Sequence, residues 1–160
     1  MTKGLSNDHK SCLDAAFRYL SYRPRSQQEI RTHLKRKGFD AAYVEHALLH
    51  LNRQGLLNDL AFAQFWKENR ESFSPRSRAM LQSELRAKGI AVDTIAAVVE
   101  EVDEESGARQ AATKKTRMLV DADYDTFRRR LNNFLRQRGF NYEVIQHTVD
   151  HLWQERGKND

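Results

Sequence analysis

The sequence predicts an all-α protein built from three tandem three-helix repeats, about nine helices forming an elongated, curved molecule. Three observations carry that prediction. Apolar side chains recur at helical spacing along most of the chain. The same apolar pattern returns three times at intervals of about 50 residues. Strand signals are essentially absent.

Each element follows from its own residues. Leu13, Ala16, Phe17 and Leu20 share one face of an opening helix. Ser26-Gln27-Gln28-Glu29 matches a capping box, in which Ser26 accepts from an amide and Glu29 returns the bond. Ile30 and Leu34 give the second helix its buried edge, and Gly38 after Lys37 suits its end. Val44, Ala47, Leu48 and Leu51 form a third helix at i, i+3, i+4 and i+7. Asn58 or Asp59 can cap the next helix, which carries Ala61, Phe62, Phe65 and Trp66 as core rather than as a base-stacking platform. Ser74-Pro75 reads as an N-cap followed by proline at the first helical position.

Self-comparison ties these elements into repeats. Pro24-Arg25-Ser26 recurs 51 residues later as Pro75-Arg76-Ser77. Ile30, Leu34, Gly38, Val44, Leu48 and Leu51 meet Leu81, Leu85, Gly89, Ile95, Val99 and Val102 at that offset. Leu131, Leu135, Gly139, Ile145, Val149 and Leu152 form a third copy without the Pro-Arg-Ser start. Its opening helix, around Ala108 to Leu119, is rich in alanine and charge, and Trp153 closes the unit. The repeats span residues 1–57, 58–103 and 104–160, the first and last with terminal tails. Units of some 50 residues have thin cores and need their neighbours.

Composition narrows the function. Twenty-seven Lys and Arg against 22 Asp and Glu give +5, which favours polyanionic partners. The excess is uneven: 10 basic and 5 acidic side chains in the first repeat, 6 and 8 in the second, 11 and 9 in the third. A uniform nucleic-acid coat would not look like this. No apolar run approaches the roughly 20 residues of a membrane span, and the start has no secretory h-region, so the expected compartment is the cytoplasm. Cys12 is alone, which excludes an intrachain disulfide and a thiolate zinc cage. His46/His50 and His147/His151 have metal-ligand spacing but lack the glutamate of a hydrolytic zinc helix, so a partly exposed helix face is the better reading. There is no Walker loop and no Gly-x-Ser-x-Gly elbow. Neither an enzyme nor a cofactor is expected.

The stretches Pro-Arg-Ser-Gln-Gln-Glu-Ile…Leu-Lys-Arg-Lys-Gly-Phe at 24–39, Gly-Leu-Leu-Asn-Asp-Leu-Ala-Phe-Ala at 55–63 and Leu-Arg-Ala-Lys-Gly-Ile at 85–90 resemble the bacterial RecX family. With the weaker third copy the resemblance covers most of residues 11–156, although Asn58 stands where the family often has aspartate. It implies a tandem three-helix-repeat fold that binds the RecA recombinase, lodges in the groove of its filament on single-stranded DNA, and damps ATPase and strand exchange.

Aligned repeats show which cations recur. Lys35, Arg86 and Arg136 form one column, and Lys37, Lys88 and Arg138 another. The second column complements helix C-termini, whereas the first projects from a rim one residue beyond a buried leucine. Arg31 shares a face with Lys35, while Arg76, Arg78 and Arg128-Arg129-Arg130 sit near helix starts, where the helix dipole gives cations no support. With Arg25 these are the candidate contacts to a recombinase filament or, weakly and nonspecifically, to single- or double-stranded DNA. A helix-turn-helix DNA reader is the alternative. It needs a basic last helix in each unit, but those of the first two copies carry Asp40, Glu45, Asp93, Glu100 and Glu101. A generic helical scaffold is a further alternative.

Overall fold

The computed structural model describes residues 2–158, with side chains from residue 8 onward. Among the described residues there are nine α-helices and no strand. They are α1 (Thr2–Leu20), α2 (Gln27–Arg36), α3 (Ala41–Arg53), α4 (Asp59–Phe73), α5 (Arg78–Ala87), α6 (Val92–Val99), α7 (Glu104–Thr116), α8 (Tyr124–Gln137) and α9 (Tyr142–Lys158).

Two compact units divide the chain. The first runs to Trp66 and includes Leu85–Ile95; the second holds Lys67–Glu84 and everything from Ala96. In the first unit, Cys12, Ala16, Ile30, Leu34, Val44, Ala47, Leu48 and Leu51 form one closed core between α1, α2 and α3. Fully burying a leucine or isoleucine contributes about 1.5–3 kcal/mol, so these periodic positions hold the bundle together. Cys12 is buried among them, and burial pushes its thiol pKa up. In the second unit, Ala108, Ala111, Ala112, Phe127, Leu131, Leu135, Ile145 and Val149 form the corresponding core of α7, α8 and α9. Alanine on α7 permits close helix approach, which explains how so charged a helix finds a buried face. Trp153 packs against this core, edge-on to Phe127 at 5.1 Å.

The local starts and stops follow the sequence in part. Ser26 Oγ accepts from the Glu29 amide at 3.1 Å, as a capping residue should. The reciprocal bond of a capping box gives way to ion pairing: the Glu29 carboxylate lies 2.7 Å from Arg23, 3.7 Å from Arg25 and 4.0 Å from Lys88. Three cations outcompete one amide for it. Asn58 Oδ1 caps α4 through the Ala61 amide, so asparagine supplies the acceptor there; Asp59 instead accepts from the Gln27 amide at 3.0 Å.

The start of α5 differs from the sequence expectation. Ser74 and Pro75 precede the helix, and Ser77 is the residue whose Oγ accepts from the Met80 amide at 3.1 Å. Ser77 is the repeat equivalent of Ser26, so both copies start this helix alike; Pro75 is buried in the approach. The third opening helix begins at Glu104 rather than near Ala108, because Asp103 accepts from the Ser106 amide.

The capping serines also join copy to copy inside each unit. Ser26 Oγ donates to the Lys88 carbonyl at 2.8 Å, 62 residues away, and Gln28 Nε2 donates to the Ala87 carbonyl at 3.2 Å. In the second unit the Ser77 amide donates to the Arg138 carbonyl at 3.1 Å. The start of one middle helix thus satisfies the free carbonyls at the end of the next copy's. Because Ser26 is fully buried and serves both an amide and a carbonyl, Ser26→Ala is expected to cost about 1–3 kcal/mol. Urea denaturation measures it, with an unchanged midpoint as the contrary result.

Candidate partner-binding surface

The thirteen cations singled out by sequence divide into two groups once their neighbours are known. Six have structural employment. Arg25 lies 3.8 Å over the Tyr19 ring, donates to the Tyr19 carbonyl at 3.2 Å, and faces Glu29. Arg31 pairs with Glu45 of α3 at 2.9 Å. The Glu45 hydrogen bond raises the Arg31 pKa, and the same bond lowers that of Glu45. Lys88 sits 5.2 Å over Trp66 and at the edge of the Glu29 cluster. Arg138 stacks 3.8 Å over Phe134 on its own helical turn; burial, then the nearby Arg76 charge, lowers its pKa.

Arg76 and Arg78 are the instructive pair, since the sequence offers neither a local reason to exist. Arg76 Nε lies 3.1 Å from Glu84 and forms an ion pair with it. Arg78 donates to the Val102 carbonyl through Nε at 3.0 Å and Nη2 at 2.8 Å. Its backbone amide donates to Glu104 at 2.9 Å. Arg78 therefore ties the start of α5 to the chain leaving α6. No periodicity could have shown this, because the acceptor is a main-chain carbonyl.

The other seven make no hydrogen bond or ion pair among the described residues: Lys35, Lys37, Arg86, Arg128, Arg129, Arg130 and Arg136, all exposed. Lys35, Arg86 and Arg136 occupy equivalent places near the ends of α2, α5 and α8. Lys37 stands just beyond α2, where it complements the carbonyl end. Arg128, Arg129 and Arg136 line one face of α8 with Asn132, Asn133 and Asp125. Sequence reasoning passed over Arg23, which binds Glu29, and Arg36, which borders a hollow of the first unit with His33, Tyr19 and Lys88.

His33 stacks flat on Tyr19 at 3.8 Å, and burial, then Lys37 and Arg25, lowers its pKa. The folded state favours neutral His33. Its contribution to stability is present above the ordinary value of 6.5 and declines as pH falls past it. The loss is complete once pH lies below the folded-state pKa. NMR titration of this ring should give a pKa below 6.5; one above it would contradict the burial and the influence of Lys37 and Arg25. The remaining histidines have separate neighbours: His147 lies 3.4 Å from Glu105, His151 3.0 Å from Glu155, and His46 beside His9. Among the described residues no three His, Cys, Asp or Glu side chains gather as a metal site. No helix among them is long and apolar enough to cross a membrane.

Comparison with known proteins places this architecture. Models of the first, second and third three-helix domains of RecX match residues 12–51, 58–99 and 103–149 in that order. A protein named regulatory protein RecX from Amycolatopsis mediterranei is 38% identical over 135 residues, covering 82% of this chain and 77% of its own. The chain belongs to the RecX family. A RecX from Prosthecochloris aestuarii is 36% identical over 146 residues, 91% of this chain and 96% of the relative. The crystal structure of RecX from Lactobacillus salivarius superposes with a TM-score of 0.72 at 20% identity, covering 92% of this chain and 97% of that one. A second RecX crystal structure gives 0.73 at 22% identity, covering 91% and 73%. At that identity the two structures establish the RecX fold of three-helix repeats and no more.

Proposed function

We propose that the protein is a non-catalytic, cytoplasmic regulator that binds the RecA recombinase and its filament on single-stranded DNA and inhibits ATPase and strand exchange. The reading rests on family membership, since the relatives carry the name regulatory protein RecX. One observation within the chain carries it further. The Lys35, Arg86 and Arg136 column repeats with the fold, is exposed in every copy, and makes no hydrogen bond or ion pair among the described residues. Uncommitted cations at the same place in each copy suit a polyanionic or acidic partner. The last helices of the copies present Glu45, Asp93 and Glu143 to solvent, a poor surface for reading a major groove.

The test is the single-stranded-DNA-dependent ATPase of the cognate recombinase, titrated with this protein. Activity should fall as the protein approaches saturation of the filament. Undiminished ATPase at saturation would refute the proposal.

A further inference from the structure

The first two copies close the same place in different ways. At the 51-residue offset Tyr19, Arg25, His33 and Arg36 meet Arg70, Arg76, Glu84 and Ala87. In the second unit one acid holds that place, with the Glu84 carboxylate 3.0 Å from Arg70 and 3.1 Å from Arg76. In the first unit His33 stands where the acid would be, stacked on Tyr19 at 3.8 Å with an angle of 1° between the rings. The salt-bridged version shows that the fold does not require an aromatic stack here. Nor does it require Arg36, which has alanine as its counterpart and makes no hydrogen bond or ion pair among the described residues.

Beside the stack lies a hollow of about 370 Å³ that includes Arg23, Glu29, Thr32, His33, Arg36 and Lys88 in its wall. That volume lies within the range of small-ligand sites. Three cations against one carboxylate leave it two positive charges. Glu29 is already shared, at 2.7 Å from Arg23, 3.7 Å from Arg25 and 4.0 Å from Lys88. The surplus therefore has no acid within the hollow to meet it, and a ligand there must bring negative charge. Guanidinium forks suit phosphate or carboxylate alike, so the ring decides between them. Arg25 lies 3.8 Å over Tyr19, and two groups so near one ring centre occupy its opposite faces. Both faces of Tyr19 are thus taken, and the far face of His33 is the aromatic surface left for a guest. Burial, then Lys37 and Arg25, lowers the His33 pKa, so near neutral pH the ring stacks without adding charge. An acidic peptide would use the cations and leave that ring bare. A nucleoside without phosphate would use the ring and leave the cations unmatched.

We propose that this hollow of the first unit binds a free nucleoside diphosphate, with Arg36 and Lys88 on the phosphates and the base stacked on His33. The site goes beyond the reading above and does not depend on it. Its test contains no recombinase, so its failure and that of ATPase inhibition are distinguishable.

The experiment is isothermal titration calorimetry of the full chain with ADP, pyrophosphate and adenosine, together with NMR of the His33 ring. ADP should bind one to a chain, more tightly than pyrophosphate, and adenosine more weakly than either. ADP should also shift the His33 resonances and raise the pKa of that ring, since its phosphates offset Lys37 and Arg25. Arg36→Gln should weaken ADP about 10- to 150-fold, the loss of one charged hydrogen-bonding group. His33→Ala should weaken ADP on the order of 5- to 150-fold and leave pyrophosphate near its wild-type affinity, and His33→Phe should restore ADP. Circular dichroism checks that each variant keeps its helices. Wild-type ADP affinity in Arg36→Gln would overturn the proposal, as would adenosine binding as tightly as ADP or no ADP heat at millimolar concentration. Displacement of ADP by polyglutamate would assign the hollow to an acidic protein, and displacement by oligothymidylate to a strand; either would overturn it too.

Discussion

Alanine at Gly89 or Gly139 is expected to destabilise the protein by about 2–5 kcal/mol, against roughly 1–2 kcal/mol for alanine at Gly38. All three glycines end the middle helix of a copy with positive φ, at 78°, 88° and 93° respectively. A side chain in that conformation costs about 1–2 kcal/mol wherever it occurs. At Gly38 nothing lies within 4 Å of where a Cβ would sit, so the conformational cost is the whole effect. At Gly89 the added carbon would lie 2.7 Å from the Cβ of Gln28, and at Gly139 2.8 Å from the Cβ of Met80. Those atoms are fixed by their own backbones, so α2 must retreat from the α5 terminus, or α5 from the α8 terminus. Retreat would stretch the Ser26–Lys88 bond in one unit and the Ser77–Arg138 bond in the other. Overpacking of this kind adds about 1–3 kcal/mol. Chemical denaturation of the three variants gives the ranking directly. Equal losses at all three positions would show that the joints yield without cost.

The contrast among these glycines shows where the sequence stops being legible. Their shared conformation is readable, because a glycine after a cation at the end of an apolar helix meets a local need. The Asn58 cap and the apolar columns are local in the same sense, and the structure has them as the spacing predicts. What repeat alignment misses is contact between copies. Ser26 looks like a cap and is one, but its hydroxyl also donates to a carbonyl 62 residues onward. Glu29 looks like the other half of a capping box, and three cations claim it. Ser74-Pro75 imitates a helix start so well that Ser77 is overlooked. For the candidate surface the sequence shows where cations recur, not which are already spent. Arg78 on a carbonyl and Arg86 in solvent are alike in sequence and opposite in role.

That division leads to the largest functional effect expected. Glutamate at Lys35, Arg86 and Arg136 together should weaken inhibition of the recombinase on the order of a hundredfold and leave the fold intact. Each position loses an exposed attraction and gains a repulsion, about 0.5 kcal/mol apiece, so three positions amount to about 3 kcal/mol. None of the three makes a hydrogen bond or ion pair among the described residues, so the helical circular dichroism should stay at its wild-type value, while the loss of cations from three last turns should lower the thermal midpoint only slightly, about 0.3–1 kcal/mol apiece. Arg78→Ala should do the reverse. Removing its guanidinium leaves the Val102 carbonyl, in a residue 4% exposed, without its donors, at a cost of about 1–3 kcal/mol. Inhibition per folded molecule should be unchanged. The ATPase titration and a melting curve on both variants separate binding charge from structural charge. A triple variant that inhibits as well as wild type would remove the exposed column from the interface. An Arg78→Ala variant with a wild-type melting curve and lost inhibition would move that arginine into it.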